Sequence, residues 1–260
     1  MPVRLQAALH LHAVLPALAV LAPRDPAFAG ILAGPDTAVT LRVPGLEPTR
    51  VERSAGRLTV HHRSCPGGLL LHFPTAGQFV RATARLPALA LPVAGIAGLP
   101  TARRLLESAG QRLEAVLTDR DAVRRDDTFA RLHVPAALTV AVAGGAVWLR
   151  RHPDGPALHA RFEGRLVRFT AVDPEFSVWL DLAPRIPAWG VGPAPRAADA
   201  DVRFADLPTA VGELLHENDS LAALGHGRLQ IRGHLPLAEQ IGLVMQKVDR
   251  ILQPAPRKTA

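Results

Sequence analysis

Two short signatures recur in this chain at nearly one spacing. Pro74-Thr75-Ala76 returns 134 residues on as Pro208-Thr209-Ala210, and Leu99-Pro100-Thr101-Ala102 returns 136 residues on as Leu235-Pro236-Leu237-Ala238. Each Leu-Pro-x-Ala opens an apolar helical pattern of similar length, running to Leu117 and to Leu252. Proline is tolerated there because the first helical N–H groups need no intrahelical partner. A chain of 260 residues has room for two copies of one ordinary-sized unit.

The hydrophobic pattern divides accordingly. Leu5–Ala22 is apolar and reads as a packed helix. Ala27-Phe28-Ala29-Gly30 resembles a cleavage site. His10 and His12 interrupt the apolar run, however, so a secretory signal is the less favoured reading. Strands are expected at Ala38–Val43, Thr49–Arg53, Arg57–His62 and Leu69–Phe73, set apart by Pro44-Gly45, Ala55-Gly56 and Pro66-Gly67-Gly68. Helices follow at Thr75–Thr83 and Thr101–Leu117, with a charged connection at Thr118–Asp127. The second half reads as strands at Leu138–Val142, Ala146–Arg151, Ala157–Phe162, Arg165–Ala171 and Phe176–Leu182. The Gly144-Gly145 pair makes a hairpin of the first two. A Pro/Gly-rich connection, Ala183–Ala198, precedes Asp201–Phe204, a helix near Leu207–His216, a strand at Arg228–Arg232 and a closing helix Leu235–Leu252. The expected division is a unit over 1–118, a linker or helical connection over 119–136, a second unit over 137–252 and a flexible tail over 253–260.

Charge and composition exclude several functions. The net charge is +7, carried almost entirely by arginine. The arginine pairs are isolated and interleaved with acids, as in Asp119-Arg120-Asp121, and aromatics make up 4% of residues. Nucleic-acid readers cluster charge and offer stacking rings, so nucleic acid is not an expected partner. Basic charge does favour peripheral contact with anionic membrane, and such contact should weaken with salt. Cys65 is the single cysteine. It excludes an internal disulfide and fits a reducing, cytoplasmic setting.

Chemistry-bearing motifs are absent. No Gly-x-Ser-x-Gly elbow surrounds Ser64, Ser177 or Ser220. His216-Glu217 has no second histidine four residues on, as a zinc helix requires. His61 and His62 are adjacent on a strand and point to opposite faces. His10 and His12 lie about 200° apart on a helix. Gly95-Ile96-Ala97-Gly98 lacks the lysine of a phosphate loop. No catalytic residue, metal or cofactor is therefore expected. Trp148, Trp179 and Trp189 fall in the strand-rich part, and Trp189, in the Pro/Gly-rich connection, is the one expected to be most exposed.

The stretch from Ala198 to Leu252 carries an ordered set of pieces. They are Ala200-Asp201-Val202-Arg203-Phe204, a helix Leu207–Leu215, Leu221-Ala222-Ala223-Leu224, then Gly227-Arg228-Leu229-Gln230-Ile231-Arg232-Gly233 and the closing amphipathic helix. In this order they resemble the sterol carrier protein-2 (SCP2) lipid-binding domain. The first half resembles a degenerate copy, in which Ala90-Leu91-Pro92-Val93-Ala94-Gly95 replaces the strand signature. The resemblance implies an α+β fold of tandem SCP2-like units, each a mostly antiparallel sheet covered by helices over an apolar pocket. It implies non-enzymatic binding or carriage of a hydrophobic ligand: an acyl lipid, a sterol-like molecule or an isoprenoid. Contacts would fall to Phe204, Leu215 and Leu224, to Leu229 and Ile231 on the strand, and to Leu237, Ile241 and Met245 on the helix. It also admits two other roles: an accessory protein beside partner enzymes of isoprenoid-quinone metabolism, or a ligand-free structural module.

Overall fold

The computed structural model describes residues 2–63 and 67–253. Ser64, Cys65 and the tail expected beyond Gln253 lie outside the described residues. The chain opens with α1 (Pro2–Leu9), a π-helical turn (His10–Val14), α2 (Ala17–Leu21) and α3 (Phe28–Leu32). Then come β1 (Thr37–Arg42), β2 (Thr49–Ser54), β3 (Arg57–His61), β4 (Leu69–His72), α4 (Ala76–Thr83), β5 (Leu91–Ala94) and α5 (Leu99–Thr118). A short α6 (Arg120–Arg125) leads into α7 (Asp127–Arg151) and α8 (Gly155–Arg161). The chain continues with β6 (Leu166–Ala171), β7 (Phe176–Asp181), β8 (Ala188–Val191), β9 (Ala200–Phe204), α9 (Leu207–Leu214), α10 (Ser220–Gly225), β10 (Leu229–Gly233) and α11 (Leu235–Leu252).

The strands form two five-stranded sheets of one topology. The first runs β3-β2-β1-β4-β5 and the second, in matching direction, β8-β7-β6-β9-β10. In each, a three-stranded antiparallel meander is joined by one parallel pair, β1 with β4 and β6 with β9, and a last antiparallel strand completes the sheet. Helices also recur in the same places. α4 and α9 follow the parallel strand, and α5 and α11 close the units. Thr75 and Asp206 cap α4 and α9, each side chain accepting from the backbone N–H three residues on. The fold class is thus α+β, with two mostly antiparallel sheets covered by helices.

The largest departure from the sequence reading is α7. The expected hairpin over 138–151 is the second half of a 25-residue helix. Asp126 caps it, accepting from Thr128 N at 2.8 Å, and alanines fill it. Pro135 lies inside, and its carbonyl accepts from the Thr139 hydroxyl at 2.7 Å. Gly144 and Gly145 are close-approach residues rather than a turn. A β-carbon on Gly144 would stand 2.5 Å from Val248 Cγ1 of α11, and one on Gly145 would lie between Leu180 of β7 and Val244 of α11. The expected boundary at residue 137 therefore falls inside a helix that begins at Asp127, and the connection before it takes the helical form, as α6 and the first turns of α7.

Two smaller corrections share this origin. Ala157–Phe162, expected as a strand, is α8, because Gly155 brings the chain against the Leu149 carbonyl and Pro156 starts a helix. The Pro/Gly-rich connection contains an edge strand, β8. Gly190 there lies under the Trp179 ring, where a β-carbon would run into Cζ2. Trp189 is consequently half-buried in β8 and packed against the core. Trp148 lies on α7, fully buried, stacked on His152 at 4.3 Å.

α1, α2, α5, α7 and α11 form the helical layer. α7 touches the π-helical turn, α2, α5, α9, α11 and β7. Leu132, Ala136 and Val140 of α7 share a buried cluster with Val51 and Leu58 of the first sheet. Val142, Ala146 and Val147 share another with Val178 and Leu180 of the second. Two segments, Val3–Leu21 and Asp127–Arg151, are long and apolar enough to cross a membrane; here both are packed largely inside the protein.

Candidate hydrophobic-ligand site

β10 sets the site. It lies antiparallel to β9, with Leu229 opposite Phe204 and Ile231 opposite Val202. Apolar residues at every second position therefore face one side. Gly233 ends the strand at φ +86°, against the Asp199 carbonyl, and lets the chain turn into α11. His234 caps α11, its Nδ1 accepting from Leu237 N at 3.1 Å. From there Leu237, Ile241, Val244 and Val248 recur at helical spacing and are fully buried.

All eight residues expected from the sequence belong to one apolar body. Phe204, Leu215, Leu229, Leu237 and Ile241 are buried within it, while Leu224, Ile231 and Met245 are half-buried and pack against it. Sequence reasoning missed the contribution of α7. At Gly145 that helix sits between Leu180 of the sheet and Val244 of α11. The space under the closing helix is therefore occupied by the chain's own Val142, Ala146 and Val147. The signal was present: Val134–Leu149 is too long for one strand, and Asp126-Asp127 precedes it as a helix cap.

The solvent side of this sheet is polar and charge-paired. Arg168 of β6 makes a two-pronged ion pair with Asp201 of β9 at 3.0 and 2.8 Å, its directly opposite neighbour. Arg165 and Arg196 converge on Asp199, at 2.6 and 3.2 Å; burial pushes its carboxyl up, but Arg165, the Leu166 N–H at 2.9 Å and Arg196 together hold it below the usual range. Apolar contact thus belongs to the inner face. Two clefts open elsewhere. One, of about 430 Å³, lies between α3 and α5 beside Ile31, Arg53, Arg104 and Leu105. The other, of about 330 Å³, lies beside Thr40, Arg42, Leu46 and Leu70. Neither is lined by the eight residues. Arg53 is already satisfied by the carbonyls of Ile31 and Pro35. Among the described residues, no group of three His, Cys, Asp or Glu is placed to hold a metal ion.

Fold and site thus define an α+β protein with two like sheets around a common helical layer. No family model matches the chain, and no curated protein matches it. Among solved structures, the chain is similar to a ubiquinone synthesis protein, UbiJ-SCP2, at 18% identity and TM-score 0.31, over 40% of this chain and 87% of that one. It is similar to apo sterol carrier protein 2 from Yarrowia lipolytica at 16% identity and TM-score 0.30, over 39% and 90%. It is also similar to the inverting sec-alkylsulfatase Pisa1 from Pseudomonas sp., at 14% identity and TM-score 0.27, over 63% of this chain and 31% of that one.

Proposed function

We propose that this protein binds a hydrophobic ligand non-enzymatically at the seam between β9–β10 and α11. The ligand would be an acyl lipid, a sterol-like molecule or an isoprenoid, handled in the cytoplasm. One observation carries the reading. Phe204, Leu215, Leu229, Leu237 and Ile241 converge on a single apolar body whose margin, at Leu224, Ile231 and Met245, remains half-exposed. A ligand entering there gains ~25 cal/mol for each Å² of apolar surface removed from water. Methionine at the margin suits an adaptable wall. The seam is closed by α11, so uptake requires that helix to shift outward. Native mass spectrometry of the purified protein, followed by organic extraction and lipid analysis, tests the proposal. A stoichiometric lipid supports it. A clean apo mass with no uptake of fluorescent acyl probes overturns it.

A second reading draws on α7. Its insertion between sheet and closing helix fills the interior, which favours a ligand-free structural module that acts through its surface, beside partner enzymes. Co-purifying enzymes with an apo mass would favour this reading.

A further inference from the structure

The geometry points to residues 86–99 as a docking ribbon for an anionic lipid bilayer. The segment reads Leu-Pro-Ala-Leu-Ala-Leu-Pro-Val-Ala-Gly-Ile-Ala-Gly-Leu and holds no charged or hydrogen-bonding side chain. Of the twelve exposed large apolar side chains among the described residues, five lie in eleven consecutive positions: Leu86, Leu89, Leu91, Val93 and Ile96, each between 43% and 60% exposed. β5 forms the middle of the ribbon and is the outer strand of its sheet. Leu91 and Val93 point to the same side, yet Ala94 on the opposite side is exposed too. The strand therefore exposes apolar side chains on both of its faces, not on one face of a groove. Concentrated apolar exposure of this kind marks an interaction site.

The equivalent position in the second unit shows that the fold does not require it. β10 occupies the same place in its sheet, but it alternates Leu229-Gln230-Ile231-Arg232 and buries Leu229. The feature is thus particular to the first unit.

Charge selects the partner. From Arg53 to Arg104 the sequence contains no acid and seven arginines. Arg81 and Arg85 flank the ribbon on one side, Arg103 and Arg104 on the other. Arg81 braces the ribbon by donating to the Pro87 carbonyl at 2.8 Å. Arg85 and Arg103 are paired with Glu114 and Glu107 on α5, in exposed pairs that cost little to exchange. Arg104 has no ion pair among the described residues. An uncharged apolar strip with arginines at both ends matches the bilayer interface, where apolar side chains enter the acyl boundary and arginines meet anionic headgroups.

The alternative occupant, an edge strand from a second copy, is opposed by the backbone. Pro92 lacks the N–H a ladder needs, and the β4–β5 pairing is irregular between Leu70 and Leu71. Docking through this ribbon does not depend on cargo binding. An apo protein can still dock, and a loaded one can fail to.

Vesicle flotation with the full chain tests it, using phosphatidylcholine vesicles and an equimolar mixture of phosphatidylcholine and phosphatidylglycerol. Binding is expected for the mixture alone and should weaken with salt. The exposed triple variant Leu89→Ser/Val93→Ser/Ile96→Ser should lose at least about tenfold in partitioning. Arg104→Gln should lose about fivefold. A melting curve confirms that each variant is folded. Absence of flotation, equal binding to neutral vesicles, or binding unchanged in the triple variant overturns the proposal. So does sedimentation showing a wild-type dimer that the triple variant converts to monomer.

Discussion

Gly144 of α7 and Val248 of α11 meet so closely that a β-carbon on the glycine would stand 2.5 Å from the valine Cγ1. Valine in a helix has little χ1 freedom with which to yield. The contact fixes the distance between the two longest helices of the second half. Gly144→Leu should destabilise the fold by about 2–4 kcal/mol through overpacking. Adding Val248→Ala should recover about half of that loss. Urea unfolding of the single and double variants measures both. Equal stability of Gly144→Leu and wild type would refute the close approach.

Asp25 and Arg112 tie α5 to the chain between α2 and α3. The Asp25 carboxylate is buried and accepts from Arg112 at 2.5 and 3.2 Å and from Ala27 N at 3.0 Å. The Arg112 guanidinium is partly exposed and also lies over the Phe129 ring of α7 at 5.4 Å. The two partners are therefore unequal. Arg112→Leu strands a buried carboxylate and should cost about 3 kcal/mol. Asp25→Asn leaves a cation that water can reach and should cost about half as much. Chemical denaturation would show the order, and a larger loss for Asp25→Asn would contradict it.

Burial pushes the His10 imidazole down to about 4. It pushes that of His12 down to about 3, helped by His62, Arg151 and Arg150. In the unfolded chain both titrate near 6.5. Above about pH 6.5 both states are neutral and nothing is lost. Below it the unfolded chain takes up protons that the folded one refuses, so stability falls until the folded pKa is reached. The expected loss is about 2 kcal/mol per histidine at about pH 5. Thermal melts from neutral to acid pH measure it, and His10→Gln should flatten the slope. A midpoint independent of pH over this range would contradict the buried neutral state.

Ile231 and Met245 stand at the margin of the proposed ligand seam, half-buried. Ile231→Trp and Met245→Trp can place their bulk outward, so the melting temperature should change little. The amount of extractable lipid per protein should fall severalfold. Lipid content that is the same in both variants as in wild type would move the ligand away from this seam.

Much of the fold is legible in the sequence because its signals are local. Period-two alternation and Gly or Pro turns mark β1 to β4, β6, β7 and β10. Leu-Pro at the start of α5 and α11 marks the closing helices. The spacing of Leu237, Ile241, Val244 and Val248 is enough by itself to identify the buried face of α11. What was not legible depends on neighbours far along the chain. Gly144-Gly145 reads as a turn when only adjacent residues are considered, and as a packing notch only once Val248 and Leu180 are in place. The same applies to Gly155 and Gly190, whose roles are set by the Leu149 carbonyl and the Trp179 ring. At the proposed seam, the burial of the strand and helix residues was legible; the helix packed between them was not.

α7 belongs to the interiors of both halves. Leu132, Ala136 and Val140 join it to Val51 and Leu58 of the first sheet, and Ala146 and Val147 share a buried cluster with residues of both sheets. The two halves therefore have no independent walls. Room made beneath one sheet has to be taken from a rod on which the other also rests. A substitution that displaces α7 against one sheet is therefore felt in the packing of the other.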